Sequence, residues 1–237
     1  MGNCVGFSCD NASTISGVSK GVISFLSKAN DNVHVQGCAC HLVHLAAQKG
    51  CGGLENVNVQ QFLINIYFYL QVFREKPHKI FKYFSATWLS LLRCIDRVLE
   101  QWNPLKTYFC EMDHCTTGSK FQKVKERFEN PYTKLYLLFL SSVLTLLNSP
   151  NAFHQQETPV IHQLHSNLNS FFVDFIVQFV KASSVSQSEK DLLQMKFASV
   201  NLQKIDTELV IGAKNRTYMR EVNENDMRLK MFYADAR

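Results

Sequence analysis

The chain has 237 residues, enough for one large domain or two small ones, with an apolar share of 46% and an unusual 18 Phe. Its formal charge of +5 permits contact with nucleic acid without demanding it. No window reaches the roughly 18 uninterrupted apolar residues of a membrane span, and no basic region followed by an apolar run opens the chain. The nearest approach to a span, Leu135 to Leu147, is short and broken by Ser141, Ser142 and Thr145. These features predict an intracellular chain with no membrane partner. Its 8 cysteines are then mostly reduced, and the sequons at Asn11 and Asn215 are silent.

Cys4 to Cys9 is a short apolar run bounded by turn-formers, which reads as a buried strand. Asp10 follows it at once. A carboxylate just past a strand is held at the rim of a sheet, where metal-dependent enzymes place acidic ligands. Asp also caps strand-to-helix turns, and that reading competes. A helix is predicted over Ser16 to Ala29, with Gly17 and Gly21 leaving room for close packing. Val33 to Gln36 is a second strand, closed by Gly37. Cys38 to Gln48 is a helix with Leu42, Leu45 and Ala46 inward, ended by Gly50, Gly52 and Gly53.

Helices dominate from there. Val59 to Phe73 carries Phe62, Ile66, Tyr69, Leu70 and Phe73 on one stripe. Trp88 to Trp102 is the cleanest amphipathic pattern, with Leu91, Leu92, Ile95, Val98 and Leu99 at steps of three and four. Asn103-Pro104, Asn130-Pro131 and Thr158-Pro159 each read as a helix start, because Asn or Thr caps and Pro suits the first turn. Pro131 to Leu147 is apolar nearly all round and is predicted to lie centrally. Pro159 to Val180 is its antiparallel partner across the loop at Ser149 to Glu157. Ala182 to Ser188 reads as a linker, Leu209 to Gly212 as an extended piece, and Asn223 to Arg237 as a final helix that stops without a cap.

Three constellations could carry chemistry. Cys38, His41 and His44 are spaced by three and could share one helix face, with Cys40 beside them. Zinc needs about four converging ligands. One helix turn supplies two or three and no second pair follows, so buried thiols beside a hydrogen-bonded histidine is the competing reading of Cys38 and His41. Cys110, His114 and Cys115 match no common zinc spacing. Lys120, Lys123 and Arg127 would line one helix face and could meet phosphates, with Lys125 nearby; Glu126 and Glu129 dilute the charge, and a solvated helix face is the reading that outweighs it. No phosphate-binding glycine loop or nucleophile elbow occurs. His162 and His165 lie on an apolar helix face and read as structural.

Ser8-Cys9-Asp10-Asn11-Ala12-Ser13, Gly37-Cys38-Ala39-Cys40-His41 with Leu42 to Ala46, Thr87-Trp88-Leu89-Ser90-Leu91, Asn130-Pro131-Tyr132-Thr133-Lys134 and Pro159-Val160-Ile161-His162 occur in an order that resembles hAT-type transposases. The likeness is greatest to the domesticated, zinc-finger transposase-like proteins of animals, and it spans roughly residues 5 to 237. The resemblance implies an RNase H-like core interrupted by a helical insertion, in which three carboxylates hold two divalent metals for DNA strand transfer. Asp10 matches the second carboxylate. The first would precede Met1 and the third would follow Arg237, as would the DNA-binding finger and the dimerisation segment respectively. The arginine of the family's Thr-Arg-Trp signature is missing, since Thr87 abuts Trp88.

The expected fold is therefore mainly α, a helical insertion-type domain with a small N-terminal β remnant of an RNase H-like core. Residues 1–37 would form the partial core (strand–helix–strand), 38–181 the insertion-like domain, and 182–237 a linker and truncated helical segment. The expected function is a transposase-derived, non-catalytic protein that binds DNA or another protein, nuclear by resemblance. No small-molecule substrate and no magnesium are expected, because a lone Asp10 cannot hold two dications about 4 Å apart. Three rivals stand beside it: part of an active recombinase completed in trans, a zinc-dependent interaction module at Cys38 and His41, and a relic without function.

Overall fold

The computed structural model describes residues 4–10, 12–17, 19–52, 58–72, 88–111, 118–158, 160–185, 188–197, 199–206, 208–221, 232–234 and 236. It is mostly helical, with one small two-stranded sheet among those residues.

Strand β1 (Gly6–Cys9) pairs in parallel with β2 (His34–Gly37), Gly6 facing His34 and Cys9 facing Gly37. A parallel pair needs a crossover, supplied here by helices α1 (Ser13–Ser16) and α2 (Val22–Ala29). Asn30 Nδ2 donates to the Cys4 carbonyl at 3.0 Å and ties the end of the crossover to the first strand. The strands alternate exposed and half-buried residues, so β1 is not the buried strand its apolar run predicts. With two strands among the described residues, each face has little there to lie against. The predicted helix over Ser16 to Ala29 is split at Gly17 to Gly21. A Cβ on Gly21 would lie 2.5 Å from the Gly17 backbone, so the close approach expected there is real, but it occurs in a turn between helices.

Helix α3 (Ala39–Gly52) continues past the predicted end through Gly50. Its inward side is Cys40, Val43, His44 and Ala47, and it rests on helices of the main body. Leu42 and Leu45 are 52% and 41% exposed, the reverse of the expected orientation. Apolar residues occur on several sides of this helix, so spacing alone does not choose the buried one.

The main body begins with α4 (Val59–Val72), α5 (Trp88–Glu100) and α6 (Trp102–Lys106). Phe62, Ile66, Tyr69 and Leu70 of α4 and Leu91, Ile95, Val98 and Trp102 of the next two are buried, as their periodicity predicts. Phe73 lies outside the described residues. The chain turns at Gln101, earlier than the expected stop at Asn103-Pro104. Pro104 falls in the first turn of α6, where its missing N–H breaks no helical bond. A π-turn at Thr107–Glu111 then buries Tyr108 and Phe109.

Helices α7 (Ser119–Glu129) and α8 (Pro131–His154) meet at Asn130. Its N–H donates to the Glu126 carbonyl at the end of α7, and its side chain accepts from the Tyr132 N–H at 3.0 Å to cap α8. Leu135 to Leu140 are all buried, so α8 is the central helix its composition predicts. It is the one helix among the described residues long and apolar enough to cross a membrane, and its first half is taken up by the core instead. It runs about two turns beyond Leu147, through Pro150, which removes one backbone bond without ending the helix. Helix α9 (Leu164–Ile176) packs back on α8 as expected, but the loop predicted at Ser149 to Glu157 begins only at Gln155 and α9 starts later than Thr158-Pro159 predicts; Pro159 is outside the described residues.

Beyond a turn at Ala182–Ser184 and helix α10 (Glu189–Gln194), the backbone folds onto the body. The Lys181 N–H donates to Leu202 and the Lys204 N–H to Phe179, an antiparallel bridge. The extended piece predicted at Leu209 to Gly212 has no regular pairing, yet Leu209 and Ile211 are fully buried. Helix α11 (Ala213–Glu221), not foreseen from the sequence, packs on α8 with Met219 inward. Most of the predicted helix over Asn223 to Arg237 is outside the described residues; Phe232 and Ala236 join the same core as α4 to α8. The Asn215 side chain is fully buried, so no glycan could occupy that sequon in this fold.

Candidate nucleic-acid interface

In α7, Phe121, Val124 and Phe128 recur at steps of three and four and face inward. The side chains between them must then face out. Lys120 and Lys123 are exposed and Arg127 is half-buried, on one side of the helix as their spacing predicts. A helix rises 1.5 Å per residue, so the three cations span about 10 Å. The inward face is held by aromatic packing. Phe128 lies 4.8 Å from Trp102, 5.2 Å from Phe62 and 5.5 Å from Phe109 between ring centres. Tyr69 meets Phe121 edge-on at 5.5 Å. Such pairs contribute about 0.5–1.5 kcal/mol each beyond their burial. These contacts also set the direction of α4, whose start lies beside the end of α7 and whose end lies beside its start.

Between the two helices is a polar cleft of about 530 Å³, whose polar lining is Asn58, Gln61, Asn65, Lys123, Glu126, Arg127 and Asn130, two cations against one carboxylate. Its hydrogen bonding is one-sided. The Asn58 carboxamide oxygen accepts from the Gln61 N–H at 3.0 Å, the Asn65 oxygen from Gln61 Nε2 at 2.9 Å, and the Asn130 oxygen from Tyr132. The amide nitrogens of these three asparagines donate to none of the described residues. Asn65 is only 6% exposed. Beside two cations, a wall of spare N–H donors suits an anion with several oxygens, such as a phosphate. At the other end of the pair, the Lys120 ammonium stands 5.6 Å from the ring centre of Phe68, which is 50% exposed. Lys125 is turned to Glu129 at 3.9 Å. Asn58, Asn65 and Phe68 are not singled out by the sequence, and Asn130 is read there only as a helix start. Phe68 falls off the buried stripe of α4 and was legible there, whereas the asparagines come together only through the fold.

Asp10 is exposed and follows β1 directly, and its Oδ1 accepts from the Ala12 N–H at 3.1 Å, a local turn. Cys38 and His41 lie at and just inside the start of α3, both half-buried. The rings of His41 and His44 are parallel with centres 6.0 Å apart. Burial, and after it the Cys38 thiol, push the Cys40 thiol up. Burial, then His41, push His44 down. Cys40 Sγ also donates to the Asn151 carbonyl at 3.9 Å. Zinc binding at Cys40 would have to remove a proton that its surroundings favour, whereas the neutral form favoured at His44 is the one that ligates a metal. Among the described residues, no three His, Cys, Asp or Glu side chains form a metal-sized group. In the second cluster, Cys110 donates to the Lys125 carbonyl at 3.9 Å, and burial, then Glu129, raise its thiol; His114 and Cys115 lie outside the described residues.

The fold and these sites define a mainly helical protein with a basic, donor-rich cleft. No protein family, curated protein or solved structure matches the chain.

Proposed function

We propose that this chain is a transposase-derived, non-catalytic nucleic-acid-binding protein of the nucleus that engages phosphates through Lys120, Lys123 and Arg127. The observation that carries the reading is the cleft lined by Lys123 and Arg127 together with asparagine N–H groups that have no acceptor among the described residues. Phosphate contacts by cations and neutral donors supply affinity without sequence preference. The parallel β1–β2 unit with Asp10 behind its first strand supports descent from an RNase H-like core, and the helices after it correspond to the insertion.

The non-catalytic part rests on Asp10. It is exposed, it accepts a local backbone N–H, and it belongs to no metal-sized group among the described residues. A two-metal site acts as a unit, and one member alone leaves little activity. Two assays test the reading. Changing Lys123 and Arg127 together to Gln should reduce the slope of log affinity against log salt by about 1.4 for single strands or about 1.8 for duplex. An unchanged slope overturns the proposed interface. Incubating the protein with plasmid and magnesium or manganese should give no nicks; nicking abolished by Asp10→Ala overturns the non-catalytic assignment.

A further inference from the structure

The geometry points to single-stranded nucleic acid as the ligand of the α4–α7 surface, with Phe68 as the platform on which a base stacks. This rests on the reading of Lys123 and Arg127 as phosphate contacts. The outer edge of α4 presents Gln61, Ile64 and Phe68 at steps of three and four, all exposed, with Ile64 43% and Phe68 50% accessible. It runs from the donor-lined cleft at one end to the Phe68 ring at the other, about 10 Å along the helix. The cations of α7 run beside it over the same length. One side of the surface is therefore apolar and aromatic, and the other is basic.

That pairing fits a strand whose bases are free. Stacking on an aromatic ring needs an uncovered base face, whereas a duplex offers its phosphates and keeps its bases stacked on one another. A backbone phosphate in the cleft meets Lys123, Arg127 and the asparagine N–H groups. The next bases reach Ile64 and Phe68. A base on the Phe68 ring takes the place that the Lys120 ammonium now fills, and the ammonium moves to the neighbouring phosphate. Phe68 is half-exposed, so its replacement leaves the buried stripe of Phe62, Ile66, Tyr69 and Leu70 intact.

The test is fluorescence anisotropy with a labelled 12-nucleotide oligothymidylate and a duplex of equal length, for the full chain and its Phe68→Leu, Phe68→Tyr and Lys123→Gln/Arg127→Gln variants. The single strand should bind more tightly than the duplex. Phe68→Leu should weaken single-strand binding by about 5- to 100-fold while leaving duplex binding and the salt slope unchanged, because stacking is not a counterion effect. Phe68→Tyr should restore the affinity, which also controls for folding. If both ligands bind equally, Phe68→Leu is silent and the Lys123/Arg127 change alone weakens binding, the single-strand inference falls and the phosphate-binding reading stands. If the Lys123/Arg127 change is silent or neither ligand binds, both fall.

Discussion

Gly212→Ala tests how the C-terminal segment is fastened to the central helix. Gly212 has φ +90°, in the left-handed region that favours glycine. A Cβ there would overlap Ser142 Oγ and stand 3.0 Å from Ser142 Cβ on α8. The backbone conformation costs an alanine about 1–2 kcal/mol. The overlap adds about 1–3 kcal/mol unless the hydroxyl swings away, which would break its hydrogen bond to the Leu138 carbonyl at 3.1 Å. The expected loss is thus about 2–5 kcal/mol, a sizeable part of the 5–15 kcal/mol typical of a domain. Ser142→Ala alone should change little, since a serine bonded back to its own helix contributes little to stability. Combined with Gly212→Ala, it should recover about 1 kcal/mol, and the Cβ contact keeps the recovery partial. Urea unfolding followed by tryptophan fluorescence reads this directly, because Trp102 is buried in the core. A Gly212→Ala protein within about 0.5 kcal/mol of the parent, or a double variant with no recovery, would refute the account of the contact.

Asn130→Ala removes the side-chain cap of α8 and should cost about 1 kcal/mol, read as a lower urea midpoint with unchanged slope. His44 is held below its ordinary value near 6.5 by burial and by His41. Its unfolded form therefore binds a proton at higher pH than its folded form does, so the contribution is intact above about 6.5 and is lost progressively as pH falls from there through the lower folded value. His44→Gln should flatten the fall in stability across that window, and thermal unfolding at a series of pH values measures it.

The helices were legible wherever one face had to be buried. The stripe through Phe62, Ile66 and Leu70 and that through Leu91, Ile95 and Val98 both appear as read, because a period of 3.6 can satisfy only one buried side. The Asn130-Pro131 start was legible because its chemistry is local, a side-chain acceptor beside a residue without an N–H. Positions decided by distant partners were not. Leu42 and Leu45 point outward because α3 meets the body through Cys40, Val43, His44 and Ala47, and nothing in the local pattern tells the two sides apart. Helix α11 has a polar sequence, Ala-Lys-Asn-Arg-Thr-Tyr-Met-Arg-Glu, and its burial of Met219 depends on finding α8. The same division runs through the candidate interface. The line of Lys120, Lys123 and Arg127 follows from spacing, whereas the asparagine wall facing it comes from α4, about 60 residues earlier in the chain for all but Asn130.

The proposed binding surface and Asp10 lie on different parts of this molecule, and that separation makes the two assignments independently testable. Asp10 sits on a two-stranded unit whose strands are half-exposed and whose helix α2 leaves Val22 and Phe25 44% and 60% accessible. A metal site needs carboxylates fixed to within a fraction of an ångström by their surroundings, and little among the described residues packs against this unit to do so. The cations of α7 are in the opposite situation. Phe121, Val124 and Phe128 anchor their helix in the aromatic core with at most 6% exposure, so the spacing of Lys120, Lys123 and Arg127 is set before any ligand arrives. A surface fixed in advance loses less entropy on binding than one that must be ordered. Changes at Asp10 should therefore leave nucleic-acid affinity untouched, and a loss of affinity in Asp10→Ala equal to that of the Lys123/Arg127 variant would mean that the two parts act as one site.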